Sequence, residues 1–383
     1  MKKSLLAVAV AAALPAAAFA QTNVTLSGFV KLGVANTKYS NGATGNGSGS
    51  SMDDGSSRFI LSGSEDLGGG MKGIFMIDNR FRPDQSGGGS GTLAGGNSFV
   101  GVAGGFGSVR LGRLDQYYGF GTDEHGARST ALQHSSISLL SYVGSAAATR
   151  TIANASRTPN LVRYDLPAMG GLFGGVGYSF NGIGTYSDDG SLGDASKGSA
   201  WTIDLGWRGG PITAGAAYWN AENDGTPASA AVNAAGVIVT TPATPAKALK
   251  HTSWRVYGSY DFGMFKVGLT YDKSKVEQAG SADAERGAWS LPLTAKLGPG
   301  TALFTYTAAQ DLDGTSNTGA KMYSIGYDYP LSKRTSVGVS FANINNDSGA
   351  SYAMFTSTAL GGHPVPSAGQ DQRQFYVGLR HAF

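Results

Sequence analysis

An apolar/polar alternation with a period of two runs through almost the whole chain, and it limits the fold more than any other feature. In Val24-Thr25-Leu26-Ser27-Gly28-Phe29-Val30-Lys31-Leu32, one face carries Val24, Leu26, Val30 and Leu32, and the other carries Thr25, Ser27 and Lys31. Side chains alternate this way along an extended strand, and two unlike faces mean two unlike environments. The pattern recurs at about 56–65, 71–82, 97–103, 108–114, 159–167, 171–181, 200–208, 212–220, 251–261, 264–274, 286–296, 301–310, 320–329, 333–343 and 372–383, giving sixteen segments. Each is near the ~9–11 residues that a tilted strand needs to cross a bilayer. Beyond residue 20 no apolar run approaches the ~18 of a membrane-crossing helix, so any passage through a membrane falls to strands.

The connections alternate too. Short turns lie at 66–70, 104–107, 167–170, 208–211, 261–263, 297–300 and 330–333; longer polar loops lie at about 37–55, 83–96, 115–158, 182–199, 221–250, 275–285, 311–319 and 344–371. That is an up-and-down meander with its tight turns at one end. A soluble sandwich would turn the apolar faces inward. One closed sheet with apolar residues outward and polar residues inward also satisfies every segment, and in lipid it must close, because an open edge strands backbone groups in hydrocarbon. The predicted fold class is all-β: a transmembrane antiparallel up-and-down β-barrel of sixteen strands.

Composition enters where other classes must be set aside. There are 59 glycines, 14% charged residues and no cysteine, so neither a disulfide framework nor a thiolate metal site is expected. Lys2 and Lys3, the apolar stretch from Leu5 to Leu14, Pro15 and Ala18-Phe19-Ala20 read as a cleaved secretory signal over residues 1–20, with the barrel over 21–383. Losing those two lysines from 29 Lys+Arg leaves near parity with 26 Asp+Glu, which gives no basis for a nucleic-acid partner. The five histidines are scattered without ligand spacing, and Gly174-Gly175-Val176-Gly177 sits inside a strand with no following Lys-Ser/Thr. No metal, cofactor or enzyme activity is expected. The last segment places Phe375, Val377, Leu379 and Phe383 on one face, as an aromatic interface girdle requires.

Several stretches carry a family resemblance: Val24-Thr25-Leu26; Ser57-Arg58 with Gly63 through Gly70; Gly107-Ser108-Val109-Arg110-Leu111-Gly112-Arg113; Asn160-Leu161-Val162-Arg163-Tyr164; Tyr327 through Thr335; and Gly378-Leu379-Arg380-His381-Ala382-Phe383. Together they resemble the general diffusion porins of Gram-negative bacteria, in particular the sixteen-stranded trimeric type of β-proteobacteria. The resemblance implies an outer-membrane homotrimer in lipid and lipopolysaccharide, one pore per subunit, and a third loop, here about 115–158, folded inward to narrow each pore.

Strand parity assigns faces independently. Phe59 and Leu61 point to lipid, so Arg58 points inward; Phe75, Ile77 and Phe81 do the same for Asp78, Arg80 and Arg82; Val162 and Tyr164 do so for Arg157 and Arg163. A charge facing lipid at mid-membrane would cost ~2–4 kcal/mol. The resemblance matches Arg58, Arg113 and Arg157 to a basic cluster on the pore wall, Asp78 to an acidic lumen position, and Asp115, Asp123 and Glu124 to the acidic side on the loop. It departs at Gly96-Asn97-Ser98-Phe99, where some anion-selective relatives carry an extra arginine. Opposed charges across a narrow aqueous gap make a transverse field that aligns polar solutes. With Lys31 and Arg163 added, the wall predicts passive passage of small hydrophilic solutes with modest anion preference. The rivals are a substrate-specific channel for sugars or organic anions, lined through Tyr117, Tyr118 and Phe120, and a plugged barrel serving as an adhesin.

Overall fold

All sixteen expected segments are strands of one antiparallel sheet in the computed structural model, which describes residues 23–41, 47–53, 55, 57–84, 93–121, 129–133, 135–141, 157–180, 198–223, 229–232, 238–241, 249–278, 282–354 and 366–383. The strands are β1 (Asn23–Ser40), β2 (Gly47–Asp53), β3 (Arg58–Gly68), β4 (Met71–Arg80), β5 (Ser98–Gly104), β6 (Gly107–Leu114), β7 (Thr158–Asp165), β8 (Leu172–Ser179), β9 (Gly198–Gly209), β10 (Ile212–Asn223), β11 (Ser229–Val232), β12 (Ile238–Thr241), β13 (Leu249–Asp261), β14 (Phe265–Gln278), β15 (Ala284–Leu297), β16 (Gly300–Ala309), β17 (Ala320–Pro330), β18 (Thr335–Asn346) and β19 (Asp371–Ala382). β2 and β3 are two pieces of the second wall strand, both paired to β1, and β11–β12 form a separate hairpin. β19 pairs with β18 on one side and β1 on the other, so the sheet closes without a free edge.

The long-loop end departs from expectation. β1 runs on to Ser40, β2 occupies residues expected in the first loop, β10 reaches Asn223, β14 reaches Gln278 and β18 reaches Asn346. In β2, Gly47-Ser48-Gly49-Ser50-Ser51 is exposed on both faces. Above the membrane both sides of the sheet meet water, so backbone pairing continues while the alternation that reveals it disappears.

Outward positions are apolar and exposed, as with Leu26 (62%), Val100 (62%) and Leu269 (57%). Toward the long-loop end they become cross-strand aromatic pairs: Trp201–Tyr218, Trp254–Tyr271 and Trp289–Tyr306, with ring centroids 4.8, 5.4 and 5.2 Å apart. Toward the short turns, Tyr260, Phe262 and Phe265 form a second band. From Trp254 to Phe262 is about 27 Å of extended chain, which strand tilt brings near the ~25 Å apolar band of an outer-membrane barrel.

Inside, two apolar patches break the polar-inward rule, and both seat the third loop. Tyr117 and Ile137 of the loop pack on Ala200, Ala217, Trp219 and Ala221. The helical turn Ile137–Leu140 sets Leu139 and Leu140 on a cluster that includes Ala288, Ala309, Met322 and Ile344. A Cβ on Gly338 would stand 2.8 Å from Leu132, so glycine there admits the loop to the wall.

Candidate functional site

After β6 the chain crosses the lumen and follows the inner wall. Tyr117–Gly119 is a 3₁₀ turn that reaches β10 and β13–β14, residues 137–141 lie on β13–β16, and residues 131–133 lie beside β17 and β1. The expectation of an inward-folded third loop holds for these described residues. The contacts on β10 and β13–β16 lie across the lumen from β3–β6, while residues 131–133 reach round to β1 and to Asp53 of β2, next to β3.

A buried charged knot fixes the loop to the far wall. Asp272 takes Arg255 Nε at 3.1 Å and Arg286 Nη1 at 3.4 Å, and all three side chains are sealed from solvent. Tyr117 donates its hydroxyl to the same carboxylate, and the Arg255 guanidinium lies 4.7 Å over the Tyr117 ring. The remaining donors hold the loop: Arg255 gives to the Phe120 carbonyl at 2.9 Å and the Ser141 hydroxyl at 3.1 Å, and Arg286 gives to Leu139 O at 2.7 Å and Leu140 O at 3.0 Å. An isolated buried charge is expensive; a hydrogen-bonded set like this one is tolerated.

The basic wall stands on the opposite side of the barrel. Asp78 lies between Arg58 Nη1 at 3.2 Å and Arg80 Nη2 at 3.7 Å. The strongest Coulombic neighbours of Arg80 are Arg58, Arg157, Asp78 and Asp115, so five of the expected residues form one electrostatic group. Arg157 takes a left-handed backbone (φ 62°), a strained conformation for a residue with a side chain, at the point where the loop re-enters the wall. Next to them, the Phe29 ring carries two guanidiniums, Arg58 at 5.1 Å and Arg380 at 4.6 Å. The segment at 94–97 folds over Asp78: Gly96 N donates to Asp78 O at 2.8 Å, and a Cβ on Gly96 would sit 2.1 Å from the Asp78 carboxyl carbon. A side chain there would displace Asp78, which is a steric reason for glycine at this position.

The other expected residues fall elsewhere. Lys31 is fully buried and donates to the loop carbonyl of Leu132. Arg163 is inward as expected, but it is bridged to Asp204 at 2.8 Å and Asp165 at 2.7 Å, so its charge is locally compensated. Arg113 lies beside the irregularity at Gly112–Leu114, where strand parity breaks, and its guanidinium Nε is buried. Arg82 lies just past the end of β4 and is half-buried. Asp115 is held through its backbone amide by Asn97 Oδ1 at 2.8 Å. Asp123 and Glu124 lie outside the described residues. Tyr117 is buried against the wall instead of lining a sugar path. Sequence reasoning missed Arg255, Asp272 and Arg286; their inward parity, opposite Trp254, Tyr271 and Trp289, was the available signal.

A closed barrel, apolar outside and charged within, narrowed by one of its own loops, is a membrane pore. The model of the Gram-negative porin family matches residues 7–349, and the chain belongs to that family. It is 30% identical to outer membrane porin protein 32 of Delftia acidovorans over 100% of both chains. It is 28% identical to an outer membrane porin protein of Bordetella pertussis, over 88% of this chain and 92% of that one. Among solved structures, it superposes on an anion-selective porin from Comamonas acidovorans with a TM-score of 0.71 at 25% identity, covering 95% of this chain and all of that one. OmpT of Vibrio cholerae in its trimer form shares the fold at 13% identity and a TM-score of 0.62, covering 94% and 99%. The protein is an integral outer-membrane porin of the general diffusion type.

Proposed function

We propose that this pore favours anions modestly, that it works as a homotrimer in a lipopolysaccharide-bearing membrane, and that residues 1–20 are a leader removed on export. The selectivity rests on one observation: Arg58, Arg80 and Arg157 stand in one group with Asp78 and Asp115, three positive charges against two negative. An excess of fixed positive charge on a low-dielectric wall raises the local anion concentration. The Comamonas acidovorans relative is anion-selective by its own description, and the OmpT relative was solved as a trimer, which supports the same two readings here. The aromatic bands support the lipid setting. On this reading the protein is a channel and performs no catalysis.

The test is a reversal potential under a KCl gradient across a planar bilayer holding the purified protein. A potential on the chloride side is expected, and a clear potassium preference refutes the selectivity. Cross-linking in detergent checks the trimer, and N-terminal sequencing of the membrane form checks the leader, with Gln21 expected first.

A further inference from the structure

The inner wall has a recess on the short-turn side of the loop, where β10 and β13–β15 meet the loop's Gly121. It encloses about 140 Å³, and Thr213, Tyr257, Ser259, Lys266 and Thr294 supply its polar lining. A fault in the sheet opens it. β14 and β15 pair regularly down to Thr270↔Ser290 and again from Val267↔Leu293, but Gly268, Leu269, Leu291 and Pro292 are skipped between them. Pro292 has no amide hydrogen to give the ladder, and Gly268 opposite has no side chain to fill the gap.

The recess contrasts with the stretch of the same wall nearer the long loops in what its side chains are doing. Elsewhere on this wall the hydroxyls satisfy one another or the backbone: Ser253 with Ser274 at 2.8 Å, Ser290 with Thr307 at 3.0 Å, and Thr202 to Tyr218 O at 2.9 Å. The hydroxyls of Thr213, Tyr257, Ser259 and Thr294 have no such partner among the described residues, and neither does the Lys266 ammonium. Asp261, in register with Lys266, spends its carboxylate on the Gly263 amide at 2.7 Å.

We propose that this recess is a binding subsite for small hydroxylated carboxylates, the class of hydroxy acids and sugar acids; the inference rests on the chain being an open pore. A carboxylate on Lys266 makes a charge-assisted hydrogen bond. Hydroxyls both donate and accept, so four of them converging on one space match a polyol chain. The Tyr257 ring offers an apolar face to C–H groups. An inorganic anion only accepts and leaves the acceptor capacity of the hydroxyls unused, and a neutral polyol loses the lysine. The recess lies across the lumen from the Arg58–Arg80 wall, so a solute passing the constriction has a second place to rest. Conduction is served by several weak sites in series.

Single-channel recording of the full-length protein in KCl tests this with three probes: gluconate, hexanoate (a carboxylate without hydroxyls) and sorbitol (hydroxyls without charge). Each current is normalised to that variant's own KCl conductance. Gluconate is expected to reduce the current saturably, and hexanoate and sorbitol are expected to do so weakly or not at all. K266M is expected to raise the half-blocking concentration of gluconate about tenfold, the worth of one charge-assisted hydrogen bond. The milder S259A and T294V are expected to raise it by less. Gluconate block unaltered by all three variants overturns the subsite. So does block of equal strength by hexanoate, or block abolished by R80A but insensitive to K266M. The chloride reversal potential measured in the same bilayers reads the anion preference separately, so the two proposals fail independently.

Discussion

Asp272 and Asp78 each sit between two arginines, on opposite walls, in different surroundings. At Asp272 the arginines are fully buried, and their remaining donors are capped by carbonyls of the third loop, so the charge holds a part in place. At Asp78 the side chains are nearly as buried, but among the described residues no third-loop carbonyl caps Arg80, whose Nε makes no hydrogen bond there, and Arg157 stands nearby on a strained backbone. The same residue types make a fastener where the loop closes over them and, on the function proposed above, a selectivity wall where it does not. What separates the two is which wall the loop rests on.

The largest effect should come from breaking the fastener. D272A leaves two buried guanidiniums without their counter-charge, a loss of about 3–5 kcal/mol for a broken buried pair. It should lower the thermal unfolding temperature in detergent and give a noisy channel as the loop leaves its seat. If D272A matches the parent in both readouts, the knot does not hold the loop. Crowding the seat should cost less: G338L puts a side chain where Leu132 packs, an overpacking strain of about 1–3 kcal/mol, read as altered conductance with the barrel intact by circular dichroism. At the Asp78 pair, R80A should reduce anion preference and D78N should increase it. Each shift is on the order of 1 kcal/mol for one charge in a screened aqueous gap, measured as opposite changes in reversal potential. The smallest effect belongs to an outer pair such as Lys273–Glu285, 2.9 Å apart and about a third exposed. K273A should change stability by under about 1 kcal/mol and leave the selectivity alone.

Much of the barrel was legible because lipid and water impose one rule on every strand. Phe59 and Phe75 announce that Arg58 and Asp78 face inward, and the same rule placed Arg163. It said nothing of whom they meet: Arg163 finds Asp204 on β9 through the curvature of the sheet. The rule fails in three physical circumstances. Above the bilayer both faces are wet, so β2 and the ends of β1 and β10 carried no signal. Where the loop packs, apolar side chains turn inward, as at Ala217 and Trp219. At the irregularity beside Gly112 the ladder slips, so parity alone does not place Arg113, whose Nε is buried. The knot at Asp272 was half legible, since parity points its members inward while the loop carbonyls that complete it follow only from the loop's path.

The seam between β1 and β19 has a consequence for biogenesis. There Gln374 Nε2 donates to Thr37 Oγ1 at 2.8 Å, across 337 positions of chain. The first strand cannot find its final neighbour until the last has been delivered, so nascent material waits with two sticky margins and costly ring closure ahead. Such a polypeptide needs escort across the periplasm and a machine that shields its rims until the ring snaps shut.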